Sequence, residues 1–225
     1  MSSKKKADVP PPHIASTLPS DSHIWRALKN NVCELKVGTS LVRAARNENS
    51  VWPTQVGKTY RFGPPPSLVN DNGAFAFHWI YLGENTMTAA WEAKLCINDT
   101  STRRTFFFDR NAADALIARM SFTRDLRLLD LTGDAVSKLG IYEELLGPEH
   151  EWCQWFGCAL DRIIARHPDL DGIRYMSRKH PGHFAYAISS RAMNNLDALR
   201  RTSIERFEDT IEYAELQQDP CFSKF

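Results

Sequence analysis

The sequence predicts an α+β fold: a mixed, largely antiparallel sheet core with flanking helices. Two observations lead there. Short apolar runs of strand composition recur along the chain, among them AFAFHWIYL (residues 74–82), RTFFFD (104–109) and DLRLLDLT (125–132). Helical periodicity appears between such runs without a regular strand–helix–strand alternation, which argues against a doubly wound parallel sheet. The bulk composition agrees with one domain that has a real core, at 225 residues with 43% hydrophobic and 11% aromatic content.

Taken in order, MSSKKKADVPPPHIASTLPSD has a lysine run but no apolar h-region, so it is not a secretory signal. Its Pro and Ser content predicts a flexible arm over residues 1–22. From Ser22 to about Val37 the pattern holds a short helix carrying Ile24, Trp25 and Leu28. TSLVRAAR (39–46) predicts a strand leading into a loop, and KTYRFGPPPSLVNDNG (58–73) a short strand followed by a turn-rich segment. Three consecutive prolines exclude regular pairing there. AFAFHWIYL has the composition of a buried strand.

In YLGENTMTAAWEAKL (81–95), Asn85 or Thr86 can cap a helix, and Met87, Ala90, Trp91 and Leu95 form its apolar stripe. HEWCQWFGCALDRIIARH (150–167) is the clearest helix, apolar along one face at Trp152, Trp155, Phe156, Ala159, Ile163 and Ile164. DGIRYMS (171–177) and HFAYAIS (183–189) predict two strands joined by the polar loop RKHPG. The tail from Arg191 is helical in pattern, with Met193, Leu196, Leu199, Ile204, Phe207 and Ile211. The predicted organisation is thus an arm (1–22), one domain (23–190) and a helical C-terminal extension (191–225).

Several function classes lose ground at once. Lys+Arg 28 against Asp+Glu 27 gives a net charge of +1, without the basic excess of a direct nucleic-acid binder. No stretch approaches the ~18 apolar residues of a membrane span. Cys33, Cys96, Cys153, Cys158 and Cys221 are scattered and form no CxxC pair, which fits a reduced, cytoplasmic chain with free thiols. His180 and His183 are two potential ligands across a Pro-Gly turn, with nothing obvious to complete a metal set. There is no GxSxG elbow, Walker loop or GxGxxG loop. A phosphate-bearing ligand would therefore need side chains, for which arginine has the matching planar fork. Arg43 and Arg61, at the ends of predicted strands, are the candidates; by position alone each reads more readily as a surface cation or a strand-end salt bridge. Glu92 lies beside the apolar stripe of its helix, where a solvated flank is the ordinary reading.

The order of the segments adds what no single one carries. LVR, YRFGP, WIYLGENTMTAAWEAKL, LRLLDLT, CQWFGCALDRI and DGIRYMSRKH succeed one another between Leu41 and Ile188. This succession resembles the RES-domain family, named for its Arg, Glu and Ser, the toxin half of many bacterial toxin–antitoxin pairs. The segment PPPSLVNDNG is an insertion relative to that pattern, and the first forty residues and the tail lie outside it.

The resemblance implies an ADP-ribosyltransferase-like fold. It also implies an enzyme that takes NAD as substrate, needs no cofactor or metal, and cuts the nicotinamide–ribose bond as a glycohydrolase or phosphorylase. Glu92 would stabilise the oxocarbenium-like state. Arg61, with Arg43, would bind the pyrophosphate, Tyr81 would stack on the nicotinamide, and Ser177 would hydrogen-bond the ribose or amide. An antitoxin with a helix-turn-helix domain is the implied partner, and a homo-oligomer is left open. Two other readings remain at this stage: a mono-ADP-ribosyltransferase acting on a protein, and a non-catalytic module holding a phosphorylated ligand or a partner.

Overall fold

The computed structural model describes residues 9–70, 73–101, 104–147 and 150–223. Pro12 opens a one-turn helix, α1 (Pro12–Ala15), at a position where a missing N–H costs nothing. Ser20 caps α2 (Asp21–Leu28) by accepting from the His23 N–H, and Ile24 and Leu28 are wholly buried.

The described part of the expected arm, residues 9–22, is therefore folded, which corrects the sequence reading. Ile14 is 3% exposed and sits with Leu18 in the main core, and Trp152 Nε1 donates to Thr17 Oγ1 at 3.1 Å. Two apolar residues among prolines and serines gain meaning only from the helix they dock on. Residues 1–8 of the arm lie outside the described residues.

The strands are β1 (Val32–Leu35), β2 (Leu41–Ala45), β3 (Trp79–Gly83), β4 (Cys96–Asn98), β5 (Phe106–Phe108), β6 (Leu116–Phe122), β7 (Leu126–Leu131), β8 (Gly172–Met176), β9 (Phe184–Ser189) and β10 (Arg200–Arg206). The remaining helices are α3 (Thr86–Glu92), α4 (Asp134–Leu139), α5 (Tyr142–Leu146), α6 (His150–Arg166), α7 (Ser190–Asp197) and α8 (Ile211–Gln218).

Eight of the strands make one sheet in the order β1-β7-β8-β9-β3-β2-β6-β10, and β4 pairs with β5 separately. In the eight-stranded sheet only β7 and β8 run parallel. The chain between them passes through α4, α5 and α6, the crossover that parallel neighbours need. The fold is the expected α+β arrangement, mostly antiparallel with flanking helices.

Side-chain alternation sorts the strands' residues into separate cores. Trp79, Ile173 and Ala187 pack against α2, α4, α5 and α6. Ile80, Leu82, Met120 and Ile188 face the other way, against α7. A further cluster joins α3, β5 and α8 around Phe207.

Two local expectations are corrected. No strand forms over residues 58–62; the segment is a turn, and Phe62 bonds side chains of β3 without joining a backbone ladder. The tail is not continuously helical. All seven residues of β10 pair with β6, Arg200 opposite Phe122 through Arg206 opposite Leu116. The apolar residues from Met193 to Ile211 do mark α7 and α8, but between them edge pairing outweighs a weak local periodicity.

Candidate active site

Helix α3 begins where the sequence allows it. Asn85 is the cap, its Oδ1 accepting from the Thr88 N–H at 2.8 Å. The helix packs close to the strand before it: a Cβ at Gly83 would lie 2.6 Å from the Ala89 nitrogen. It ends at Glu92 instead of running on to Leu95, because Lys94 takes a left-handed conformation at φ 58. Thr86, Thr88, Ala89 and Ala90 are buried, while Met87 and Trp91 are only partly so. The buried face is thus rotated from the expected stripe, and Glu92, four residues after Thr88 on the same side, is half-buried.

Glu92 meets the end of β8. Ser177 is 3% exposed, and its hydroxyl donates to Glu92 Oε1 at 2.6 Å while accepting from the His180 N–H at 2.9 Å. Ser177 therefore orients the carboxylate, and its one O–H donor is already engaged.

Arg61 reaches the same place from the RFGP turn, which three contacts hold. Tyr81 OH accepts from the Phe62 N–H at 3.0 Å, and Trp79 Nε1 donates to the Phe62 carbonyl at 2.6 Å. Gly157 of α6 lies so close that a Cβ there would stand 1.9 Å from the Phe62 carbonyl oxygen. The Nε and Nη2 atoms of Arg61 are buried with no hydrogen-bond partner among the described residues.

The electrostatics tie these groups together. Burial raises the Tyr175 hydroxyl well above its ordinary range; Glu92 and Tyr81 add to the rise and Arg61 opposes it. Tyr81 is likewise raised by burial, against the pull of the Phe62 N–H and Arg61. Both phenols are thus neutral hydrogen-bonding groups. Burial raises the Cys153 thiol, with Arg61 opposing the shift. Arg178, next to Ser177, is lowered first by burial and then by repulsion from Arg61. Arg178 also donates to the carbonyl of Gly147.

Of the residues singled out from sequence, Glu92 and Ser177 are hydrogen-bonded to each other, and Arg61, Tyr81 and Glu92 all act electrostatically on the same Tyr175. Arg43 does not share their setting. Its Nε donates to the Ser50 carbonyl at 2.8 Å and its Nη1 to the Tyr81 carbonyl at 2.9 Å. Burial holds it down to about 10. The ladder between β2 and β3 is one residue pair, Val42 opposite Gly83, and Arg43 ties the strands where it stops.

Tyr175 and Arg178 are neighbours of the site that sequence reading passed over. Both lie within DGIRYMSRKH, and strand alternation places Tyr175 on the same side as Ser177, two residues on. A cavity of about 520 Å³ lies elsewhere, lined by Thr54, Phe77, His78 and Asn194 among others, and by none of Arg61, Glu92 or Ser177. No group of three or more His, Cys, Asp or Glu is placed to hold a metal ion among the described residues.

Arg61 thus has buried donors without a carboxylate partner, and the Glu92 carboxylate, held by Ser177, shares its electrostatic surroundings with two neutral tyrosines. On an α+β sheet of this topology, the family follows from the sequence match: the family model for the RES domain covers residues 57–209, and the chain belongs to that family. No curated protein matches the sequence.

Among solved structures it is similar to a chain of the M. tuberculosis MbcT–MbcA toxin–antitoxin complex, seen in a crystal structure. The TM-score is 0.57 at 14% identity, over 88% of this chain and 98% of that one. The likeness is one of fold. Among the described residues no helix is long and apolar enough to cross a membrane.

Proposed function

We propose that the protein is the toxin of a toxin–antitoxin pair and that it cleaves the nicotinamide–ribose bond of NAD. The observation that carries this reading is the pairing of an oriented carboxylate, Glu92 held by Ser177, with a buried guanidinium, Arg61, that has donors to spare.

In this reaction the ribose C1–N bond breaks and its electron pair leaves with nicotinamide, which departs neutral. The ribose is left as an oxocarbenium-like cation. Glu92 stabilises that charge, a contribution that grows as the bond breaks and so lowers the barrier. Arg61, with Arg178 beside it, holds the pyrophosphate. Tyr81 and Tyr175 supply neutral aromatic walls for the nicotinamide. Water or inorganic phosphate then adds to C1 and gives up a proton to solvent, leaving ADP-ribose or its 1-phosphate. The Arg43 guanidinium supports Tyr81 by donating to its main-chain carbonyl.

An antitoxin partner is part of the same reading. It rests on family membership and on the similar chain having been solved in a complex whose title names an antitoxin. A helix-turn-helix protein is the expected form of that partner.

The test is nicotinamide release from NAD by the purified protein, with and without phosphate. Glu92→Ala should lower release on the order of 10²–10³-fold with an unchanged melting profile. Full activity in that variant would remove Glu92 from the reaction. Dependence on phosphate would select phosphorolysis over hydrolysis.

A further inference from the structure

Ser177 can hold Glu92 only if the loop that carries it is itself held. That loop, residues 177–183, closes on itself by three bonds. Ser177 N donates to the His183 carbonyl at 2.9 Å and His183 N to the His180 carbonyl at 3.2 Å. His180 N donates to Ser177 Oγ at 2.9 Å. Such a closed loop is rigid internally but could still swing as a unit away from α3.

What joins it to α3 and to Glu84 just before the helix cap is a row of side-chain contacts with matched spacing. Glu84, Thr88 and Glu92 are four apart, and Thr88 and Glu92 are neighbours on one side of the helix. Opposite them stand His183, His180 and Ser177, three apart along the loop. Glu84 Oε1 pairs with His183 Nδ1, Thr88 Oγ1 with His180 Nδ1 at 2.9 Å, and Glu92 Oε1 with Ser177 Oγ at 2.6 Å. The two imidazoles stack with centroids 3.9 Å apart and planes 11° from parallel. Thr88 is wholly buried, so its hydroxyl has an incentive to keep this partner.

We propose that His180 is a positioning residue for Glu92. Its ring is bonded to α3 through Thr88 while its main-chain N–H fixes the Ser177 hydroxyl, so one residue sets the separation between the loop and the helix that bears the carboxylate. Burial, and then the adjacent His183, lowers the titration of His180, which keeps the ring neutral at neutral pH. The proposal rests on the NAD-cleaving reading for its catalytic consequence, but the clamp has a readout that does not need turnover.

Four variants test it: His180→Ala, His180→Asn, Thr88→Val and, as a control in the same loop, Lys179→Ala. Two measurements are made on each, steady-state nicotinamide release and hydrogen exchange at the amides of residues 177, 180 and 183. His180→Ala should lower kcat on the order of 10- to 100-fold with little change in KM, since a small misplacement of a catalytic group falls on the chemical step. Thr88→Val should do the same. His180→Asn, whose amide can still meet the Thr88 hydroxyl, should regain most of the loss, and Lys179→Ala should match wild type.

Wild-type kcat in His180→Ala would overturn the clamp. If the wild-type protein releases no nicotinamide, the NAD reading falls and exchange alone decides. Faster exchange at the three amides in His180→Ala and Thr88→Val, but not in His180→Asn, supports the clamp, and unchanged exchange overturns it. Should His180→Ala not fold, Thr88→Val removes the other half of the same bond and settles the matter.

Discussion

Arg61 has buried nitrogen atoms and no carboxylate opposite them. A charge left this way costs stability unless a ligand completes it, which makes the residue expensive in the free protein and useful in the bound one. Lysine would keep the charge and lose the fork. Arg61→Lys should therefore raise KM for NAD on the order of tenfold, read from initial rates at varied substrate. Ser177 acts differently, because its hydroxyl already donates to Glu92 and accepts from His180. Ser177→Ala should lower kcat on the order of tenfold and leave KM near wild type, as loss of one hydrogen bond to a charged group would. Arg43 shows why strand position alone does not make an arginine a ligand-binding residue. It lies on β2 as expected, but its donors are used by the Ser50 and Tyr81 carbonyls.

At the scale of elements, the RFGP turn depends on its neighbours more than on its own sequence. Its prolines rule out a ladder, but its placement comes from Tyr81, Trp79 and the bare backbone of Gly157. Gly157→Ala would drive a Cβ into the Phe62 carbonyl, and neither helix nor turn can yield by swinging a side chain. We expect destabilisation of about 1–3 kcal/mol, seen as a lower melting temperature, together with weaker NAD binding as Arg61 shifts. The elements legible in the sequence were those with a dense local signal. Helix α6 has an apolar face over its length, and β7, β8 and β9 are rich in leucine, aromatic and other apolar residues. Strand β6, LIARMSF, has a weak strand signal of its own because Ala, Arg and Met favour helices, and its strand state is decided by pairing with β2 on one side and β10 on the other.

At the scale of the whole molecule, the segment after Ser189 is structural. Strand β10 covers the edge of β6 along seven residue pairs, and Phe207 just beyond it is fully buried in the cluster with α3. A chain ending at Leu199 would expose that edge and leave a cavity where Phe207 was. It should aggregate on expression or lose its cooperative melt, as measured by size-exclusion chromatography and thermal unfolding. The same clusters connect this edge to the site, since Phe207, Ala89 and Ala90 share one core.

The sequence by itself determined the fold class and the main helices and strands, and the order of its motifs, through the family resemblance, pointed to Arg61, Tyr81, Glu92 and Ser177. These are properties of local composition and of the order of motifs along the chain. Only the tertiary structure decided that Arg43 ties strands, that the segment around Ile14 belongs to the core, and that the tail supplies an edge strand. It also decided that two histidines of a polar loop lie against Glu84 and Thr88. In each case the deciding partner is far away in sequence, and hydrogen bonds and packing across such distances leave no local periodicity to read.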